Sequence, residues 1–382
     1  MATLAVHGSG HQSVMGAVGF PIFQSANFLY AGETNYHELR YIRLNNTPNH
    51  EMLHETLKEL EKGDAALVTG SGMAAITTAL LTALRAGDHL LAQPVLYGGT
   101  HTFIAHDLER HGVRHGFIDP DDPDKWEAAL TPATRAVYVE SVANPLLDVL
   151  DLDRVVAFAK HHGIMTIIDN TLPYPVNYNP LSHGFDVVVH SCTKYLNGHS
   201  DIVAGAIVGA RAFVDKCKET LDHLGGSLDP HACFLLARGI KTLPLRMEAH
   251  NRNAQQVAEL LATHPAVRMV RYPGLPTDPA HDRAKRWFRG FGGIVTFELR
   301  GGAEEADRFT KSLTIPLFAP SLGGVESLVT LPALTCHAGM PSEERRRIGI
   351  SDFLIRMSVG IEDPEDLVSD LSRALDGFVC VK

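Results

Sequence analysis

The run Val187-Val188-Val189-His190-Ser191-Cys192-Thr193-Lys194-Tyr195 decides the architecture. Three β-branched apolar residues in a row read as a strand buried on both faces, the kind found inside parallel sheets. The strand runs directly into a short polar turn that ends in a lysine. In open α/β sheets ligands bind beyond the carboxyl ends of the strands, so Ser191 to Lys194 falls where chemistry is done. A lysine desolvated there is suited to act as a neutral amine toward an aldehyde. A surface lysine after a strand has the same local sequence, so this stretch must be read together with others.

Twenty-five residues earlier, Thr166-Ile167-Ile168-Asp169-Asn170-Thr171 repeats the pattern, an apolar strand ending in a carboxylate. Asp169 can pair with a protonated pyridine nitrogen, and equally can serve as a turn or cap aspartate. Further upstream, an apolar strand at 65–69 leads through Gly70-Ser71-Gly72-Met73 into a helix. Small residues let backbone N–H groups approach an anion at a helix N-terminus. Ordinary strand-to-helix turns use the same residues, and no GxxxxGK[ST] lysine is present, which excludes a nucleotide P-loop. Tyr97, followed by Gly98 and Gly99, sits on a loop after a strand at 89–93 and can stack on a flat heteroaromatic ring, or be a loop tyrosine with no ligand.

Further strands are expected at 136–140, 186–190 and 204–208, and helices at 102–111 and 152–162. Such alternation specifies an α/β fold, largely parallel, with helices on both sheet faces. A long helix over 243–263, strands at 266–271 and 293–299 and a terminal helix at 364–375 define a smaller α+β region. The chain of 382 residues exceeds what one core serves. The expected division is an N-terminal arm over 1–50, a cofactor domain over 51–250 and a C-terminal domain over 251–382. The arm carries Phe20, Phe23, Phe28, Tyr30, Tyr36 and Tyr41 without periodicity, which suits packing on another subunit.

Hydrophobic residues at 45% and charged residues at 20% are ordinary for a soluble globular protein, and the net charge of -10 argues against nucleic acid or an anionic membrane as partner. Cys192, Cys217, Cys233, Cys336 and Cys380 show no CxxC spacing, as in a reducing compartment. Met1 to Gly10 reads as no signal peptide and no apolar run reaches membrane length, so a cytoplasmic protein is expected. The 21 histidines show no metal-ligand spacing, and no metal is expected.

Phosphate cradle, stacking ring, pyridinium carboxylate and lysine, each at a strand end, together match one cofactor, pyridoxal phosphate (PLP). From about residue 15 to 375 the chain closely resembles the trans-sulfuration, or Cys/Met-metabolism, PLP enzymes of the cystathionine γ-lyase and cystathionine γ-synthase type. The resemblance implies the aspartate-aminotransferase-like α/β architecture (fold type I) and a homotetramer built from dimers with shared active sites. It makes Lys194 the lysine that carries PLP as a Schiff base, with Ser191 and Thr193 on its phosphate. Asp169, in Asp-Asn-Thr, would face the pyridine nitrogen. The backbones of Gly72 and Met73, in Ser-Gly-Met-Ala-Ala, would hold the phosphate. Tyr97 would stack on the ring and assist proton transfer. Tyr41 and Arg43, in a Tyr-x-Arg-x-x-Asn run ending at Asn46, would reach the phosphate of a neighbouring subunit. Asn144, in Glu140 to Pro145, would lie at the substrate. Arg356, in Leu354 to Gly360, would clamp the substrate carboxylate, a job suited to a bidentate guanidinium. Ser321, Glu326 and Ser327 would lie near the substrate.

The implied reaction is γ-elimination from an amino acid with a leaving group on Cγ, cystathionine-like or canavanine-like. Lys194 would move the α and β protons. Replacement at Cγ of an activated homoserine is the alternative within the family. A non-catalytic PLP-binding protein, or a binding module without PLP, are alternatives outside it. The chain departs from the family pattern at Arg40, Ile42, Asn46-Thr47-Pro48-Asn49-His50, Val142 and Thr335-Cys336-His337. The leaving-group end of a substrate is expected near residues 40–49. Leu322 favours γ-type over β-type chemistry, and Gly99 stands where methionine γ-lyases carry a reactive cysteine.

Overall fold

The computed structural model describes residues 1–8, 13–119 and 122–378; Cys380 lies outside them. The chain divides into two compact units. The first comprises Met1–Gln93, Thr102–Ser141 and Leu152–Pro244; the second takes Pro94–His101, Val142–Asp151 and the chain from Leu245 onward.

The first unit is built on a seven-stranded sheet: β1 Ala65–Thr69, β2 His89–Ala92, β3 Arg114–Phe117, β4 Thr134–Glu140, β5 Met165–Asp169, β6 Val187–His190 and β7 Gly205–Gly209, in the order β1-β7-β6-β5-β4-β2-β3. β7 runs antiparallel to β1 and β6, and every other pair is parallel. The carboxyl ends of the parallel strands and the start of β7 therefore share one edge, which carries Gly70, Asp169 and Ser191. β1, β2, β6 and β7 are buried along their whole length, as continuous Val, Ile, Leu and Ala runs require when both faces are covered. The helix Leu152–His162 covers its neighbours with Leu152, Val155, Val156 and Ala159, an i, i+3, i+4, i+7 stripe. Each leucine or valine of the stripe contributes about 1.5–3 kcal/mol when fully buried.

The helix Pro48–Glu61 explains the unusual 45–50 segment. Thr47 is its N-cap and Pro48 occupies the first helical position, where the missing N–H costs nothing. His50 accepts the Thr47 N–H on Nδ1 at 3.2 Å and meets the Thr47 hydroxyl at 2.8 Å. Asn49 donates to Pro21 O at 2.9 Å and accepts from Phe23 N at 2.8 Å. Asn45, Thr47, Asn49 and His50 are fully buried. These departures fasten residues 21–23 to the chain and start a helix. Arg40 pairs with Glu51 at 2.9 Å on the surface.

The second unit holds a five-stranded sheet: β8 Val267–Arg271, β9 Ile294–Leu299, β10 Leu317–Phe318, β11 Leu328–Thr330 and β12 Ile355–Ser358, in the order β10-β11-β12-β9-β8. Only β10 and β11 are parallel. Its core joins Val295, Phe297, Ile355 and Met357 of the sheet to Val257 and Leu261 of the helix Leu243–Thr263 and to Leu367 and Leu371 of the helix Pro364–Asp376. The α/β class, with a mainly parallel sheet and a smaller second sheet, is the one expected. Among the described residues no helix is long and apolar enough to cross a membrane.

Candidate active site

In the first unit the turn after β6 is fixed before any ligand is considered. Ser191 N donates to Thr171 Oγ1 at 2.8 Å, and Tyr174 donates its hydroxyl to Ser191 O at 2.6 Å. The Thr193 hydroxyl exchanges bonds with both backbone groups of Ala204, at 3.0 and 3.2 Å. Lys194 N closes the turn on Ser191 O at 3.1 Å, leaving the Lys194 side chain half-buried.

The turn after β1 packs on the same place. A Cβ at Gly72 would stand 2.7 Å from Ser191 Cβ and 2.9 Å from its Cα, so only glycine fits. Gly205 likewise admits Ser71 O, which would lie 2.2 Å from an added Cβ. Ser71 caps the helix Gly72–Ala83 by accepting the Ala74 N–H at 3.0 Å. Gly72 and Met73 therefore form the first turn of a helix whose N-terminus opens beside Ser191, a disposition suited to an anion.

Asp169, at the end of β5, is 8% exposed. It accepts the Thr171 N–H at 2.9 Å and faces the Tyr138 hydroxyl at 3.4 Å. It thus makes the local turn bond foreseen as the plain alternative while remaining buried without an ion pair among the described residues. Burial pushes its carboxyl above the usual carboxylate range, against the bonds from Thr171 and the charge of the nearby His190. Behind it lies a pair that sequence reasoning missed. His190 Nε2 meets Glu61 Oε1 at 2.6 Å, both residues are wholly buried, and Asn170 donates to the same Glu61 oxygen at 3.2 Å. The signal was His190 directly before Ser191, but nothing local pointed to Glu61, 129 residues away.

Tyr41 and Arg43 lie in the arm. Arg43 donates to Asp222 O at 2.6 Å and to the Tyr36 hydroxyl, which also raises its pKa above the ordinary arginine value. Tyr41 is exposed, its N–H held by Asn46 Oδ1 at 3.1 Å.

The second unit gathers Tyr97, Asn144, Ser321 and Arg356. Arg356 stands on β12 between Thr330 of β11 and Thr296 of β9. It is 3% exposed. One Nη1 bond goes to Asn144 Oδ1 at 3.0 Å and Nη2 donates to Ser321 O at 2.8 Å. Ser321 adopts φ 87°, a left-handed backbone that serine rarely takes, and this points its carbonyl at the guanidinium. Arg356 makes no ion pair among the described residues, and its Nε has no partner. Cys336 and His337 sit beside it, with the Cys336 sulfur 3.8 Å from Nη1. Tyr97 is 41% exposed, and its carbonyl accepts the His101 N–H at 2.9 Å to start the helix Gly98–Thr102. A Cβ at Gly98 would collide with Cys336 O at 1.9 Å, so the Tyr97 loop and the 335–337 segment pack backbone to backbone. Ser327 does structural work: its hydroxyl donates to Glu362 at 2.9 Å and accepts from Gly360 N at 2.8 Å.

The donor set fits PLP. A side-chain-free approach at Gly72 beside a helix N-terminus and two hydroxyls suits a phosphate. A buried carboxyl with no ion pair among the described residues suits a pyridinium, and a half-buried lysine at a strand end suits an aldehyde. Fold and donors together define an α/β enzyme that works with PLP. A family model for Cys/Met metabolism PLP-dependent enzymes matches residues 2–376, and the chain belongs to that family, with PLP as its cofactor. It is 40% identical to an L-methionine γ-lyase of Porphyromonas gingivalis, covering 99% of this chain and 97% of the relative. It is 41% identical to a cystathionine γ-lyase of Bacillus subtilis, covering 98% and 99%. A cystathionine γ-synthase of Xanthomonas oryzae, solved with aminoacrylate and cysteine, superposes with a TM-score of 0.94 at 39% identity, covering 98% of this chain and 97% of that one.

Proposed function

We propose that this enzyme catalyses γ-elimination from an amino acid carrying a leaving group on Cγ, cystathionine-like or canavanine-like. The observation that carries the reading is Arg356, a buried cation with no acid beside it among the described residues, held by Asn144 and Ser321 in a form that suits an α-carboxylate. Bound PLP supplies an electron sink for charge developing at Cα. Gly72 and Met73 N–H groups, with the Ser191 and Thr193 hydroxyls, would hold its phosphate. The Asp169 carboxylate would face its ring nitrogen and Tyr97 its ring face. The Lys194 amine would take the proton from Cα and handle the proton at Cβ, so that the Cγ substituent leaves with its bonding pair. Tyr41 and Arg43 are assigned to the phosphate of a neighbouring subunit, in a homotetramer of dimers with shared sites, and the enzyme to the cytoplasm.

A second reading, replacement at Cγ, is favoured by the likeness to the γ-synthase structure. One panel separates the readings. Holoenzyme given cystathionine, methionine, canavanine or O-acetylhomoserine should release 2-oxobutyrate or homoserine from at least one. O-acetylhomoserine with cysteine yielding cystathionine would favour replacement. Pyruvate and homocysteine from cystathionine would mean cleavage at Cβ, and no product from any member would overturn the proposal.

A further inference from the structure

Of the four cysteines among the described residues, Cys192, Cys217 and Cys233 are buried and only Cys336 is partly exposed. Burial pushes the Cys217 thiol up to about 12 and the Cys192 and Cys233 thiols higher still, which leaves them inert at neutral pH. Cys336 is placed differently. His337 Nε2 meets Leu96 O at 3.2 Å, and a carbonyl only accepts, so Nε2 carries the imidazole proton. His337 Nδ1 is then the acceptor for the Cys336 S–H, 3.2 Å away. Burial holds His337 down to about 4, so the ring is neutral and its acceptor nitrogen stays available at neutral pH. From the other side Arg356 Nη1 donates to the same sulfur at 3.8 Å. The independent sign that this spot takes a ligand is Arg356 itself: 3% exposed, with no acidic partner and an unpartnered Nε.

We propose that Cys336 is a modification site which exchanges with small disulfides and, once capped, closes Arg356 to carboxylates. In the exchange the Cys336 sulfur attacks one sulfur of R–S–S–R. The new S–S bond forms as the old one breaks, and R–S⁻ leaves. The Cys336 proton, held toward His337 Nδ1 before attack, ends on the departing thiolate, giving R–SH. Cys336 is oxidised and half of the reagent is reduced. Negative charge gathering on the sulfur on the way to attack is met by the guanidinium. The cap then stands next to the nitrogen that, on the reading of Arg356 given above, receives the substrate carboxylate.

The test treats holoenzyme with 2-hydroxyethyl disulfide and maps the caps by peptide mass, with and without glycine as an unreactive amino acid. The expected result is that, of the four cysteines among the described residues, Cys336 alone is capped, slowed several-fold by glycine, with the visible band of the bound cofactor unchanged. The capped enzyme should lose at least about tenfold in kcat/KM, the size of one lost charge-assisted hydrogen bond, and regain it with a thiol reductant. Cys336→Ser, whatever its own rate, should be insensitive to the reagent. A cap on Cys192, Cys217 or Cys233 in place of Cys336, a cap on Cys336 that glycine does not slow, or an enzyme capped at Cys336 with unaltered kcat/KM would overturn the proposal. If no amino acid is turned over at all, the mass map and glycine protection still decide the role of Cys336, and what fails is the assigned reaction.

Discussion

The strand-end turns of the first unit and the Arg356 neighbourhood of the second are built on opposite plans. Around Lys194 the chain answers its own backbone: Thr171 and Tyr174 take the backbone bonds of Ser191, the Thr193 hydroxyl meets Ala204, and glycine at 72 lets the turn close. What stays uncompensated is one buried acid, Asp169. Around Arg356 the uncompensated charge is a cation, its frame includes a strained serine backbone at Ser321, and a thiol touches it. A site closed on itself suits a resident cofactor that must not shift between turnovers. One that leaves a cation unanswered suits a ligand that comes and goes. The contrast predicts that damage to the two regions separates cleanly into loss of cofactor and loss of substrate.

Lys194→Ala is the strongest blow to the first region. Turnover should fall by about 10²–10⁴ or more, the worth of a positioned acid/base group, and the visible band of covalently held cofactor should vanish. Retained turnover would break the assignment. Arg356→Ala should leave that band intact while kcat/KM for the amino acid drops roughly 100-fold, about 3 kcal/mol for a charged pair. Loss of cofactor in this variant would show that the two regions are not separable.

A subtler cut returns to the first region. Gly72→Ala places a Cβ where Ser191 stands, and neither backbone can yield freely. Overpacking of this kind costs about 1–3 kcal/mol, expected here as weaker cofactor binding in a fluorescence titration. With cofactor saturating, KM for the amino acid should change far less than in Arg356→Ala.

How much of this was legible in the chain differs between the regions for the same reason. The first region's residues are contiguous with their strands, so Val187 to Lys194 announced both the sheet and the lysine. The direction of β7 was not legible, because Gly205 to Gly209 gives no sign of which way it runs. β3, Arg114-His115-Gly116-Phe117, was missed because an edge strand need not be apolar. In the second region Arg356 was marked only by resemblance: a buried arginine breaks the apolar alternation that would have revealed β12. The Cys336–His337–Arg356 cluster depends on β12 meeting a loop from 335–337, which no spacing encodes. The inward bonding of Asn45, Thr47, Asn49 and His50 was not legible, because a polar run gives no sign that its side chains are buried.

The smallest effect asks whether the contrast belongs to the sites or extends to the scaffolds beneath them. Beneath both regions lie buried, neutral histidines. His50 donates from Nε2 to Leu228 O at 2.6 Å and accepts from Thr47 on Nδ1, and Gly70 hangs on Gly226 O at 2.7 Å in the same strip. His250 of the second unit donates to Val359 O at 2.7 Å from Nδ1. Burial holds both down to about 4, from an ordinary value of 6.5. Between those limits the unfolded chain binds more protons than the folded one, so stability falls as the pH falls through that window. Each histidine should remove roughly 1 kcal/mol between pH 7 and 5.5, read as a drop in the denaturant midpoint. His50→Gln and His250→Gln should each flatten the pH slope by a similar share. Equal shares would confine the difference between the two regions to their ligand sites. A slope flattened by only one of them would mean that the scaffolds themselves are unequal, and that acid reaches one site first.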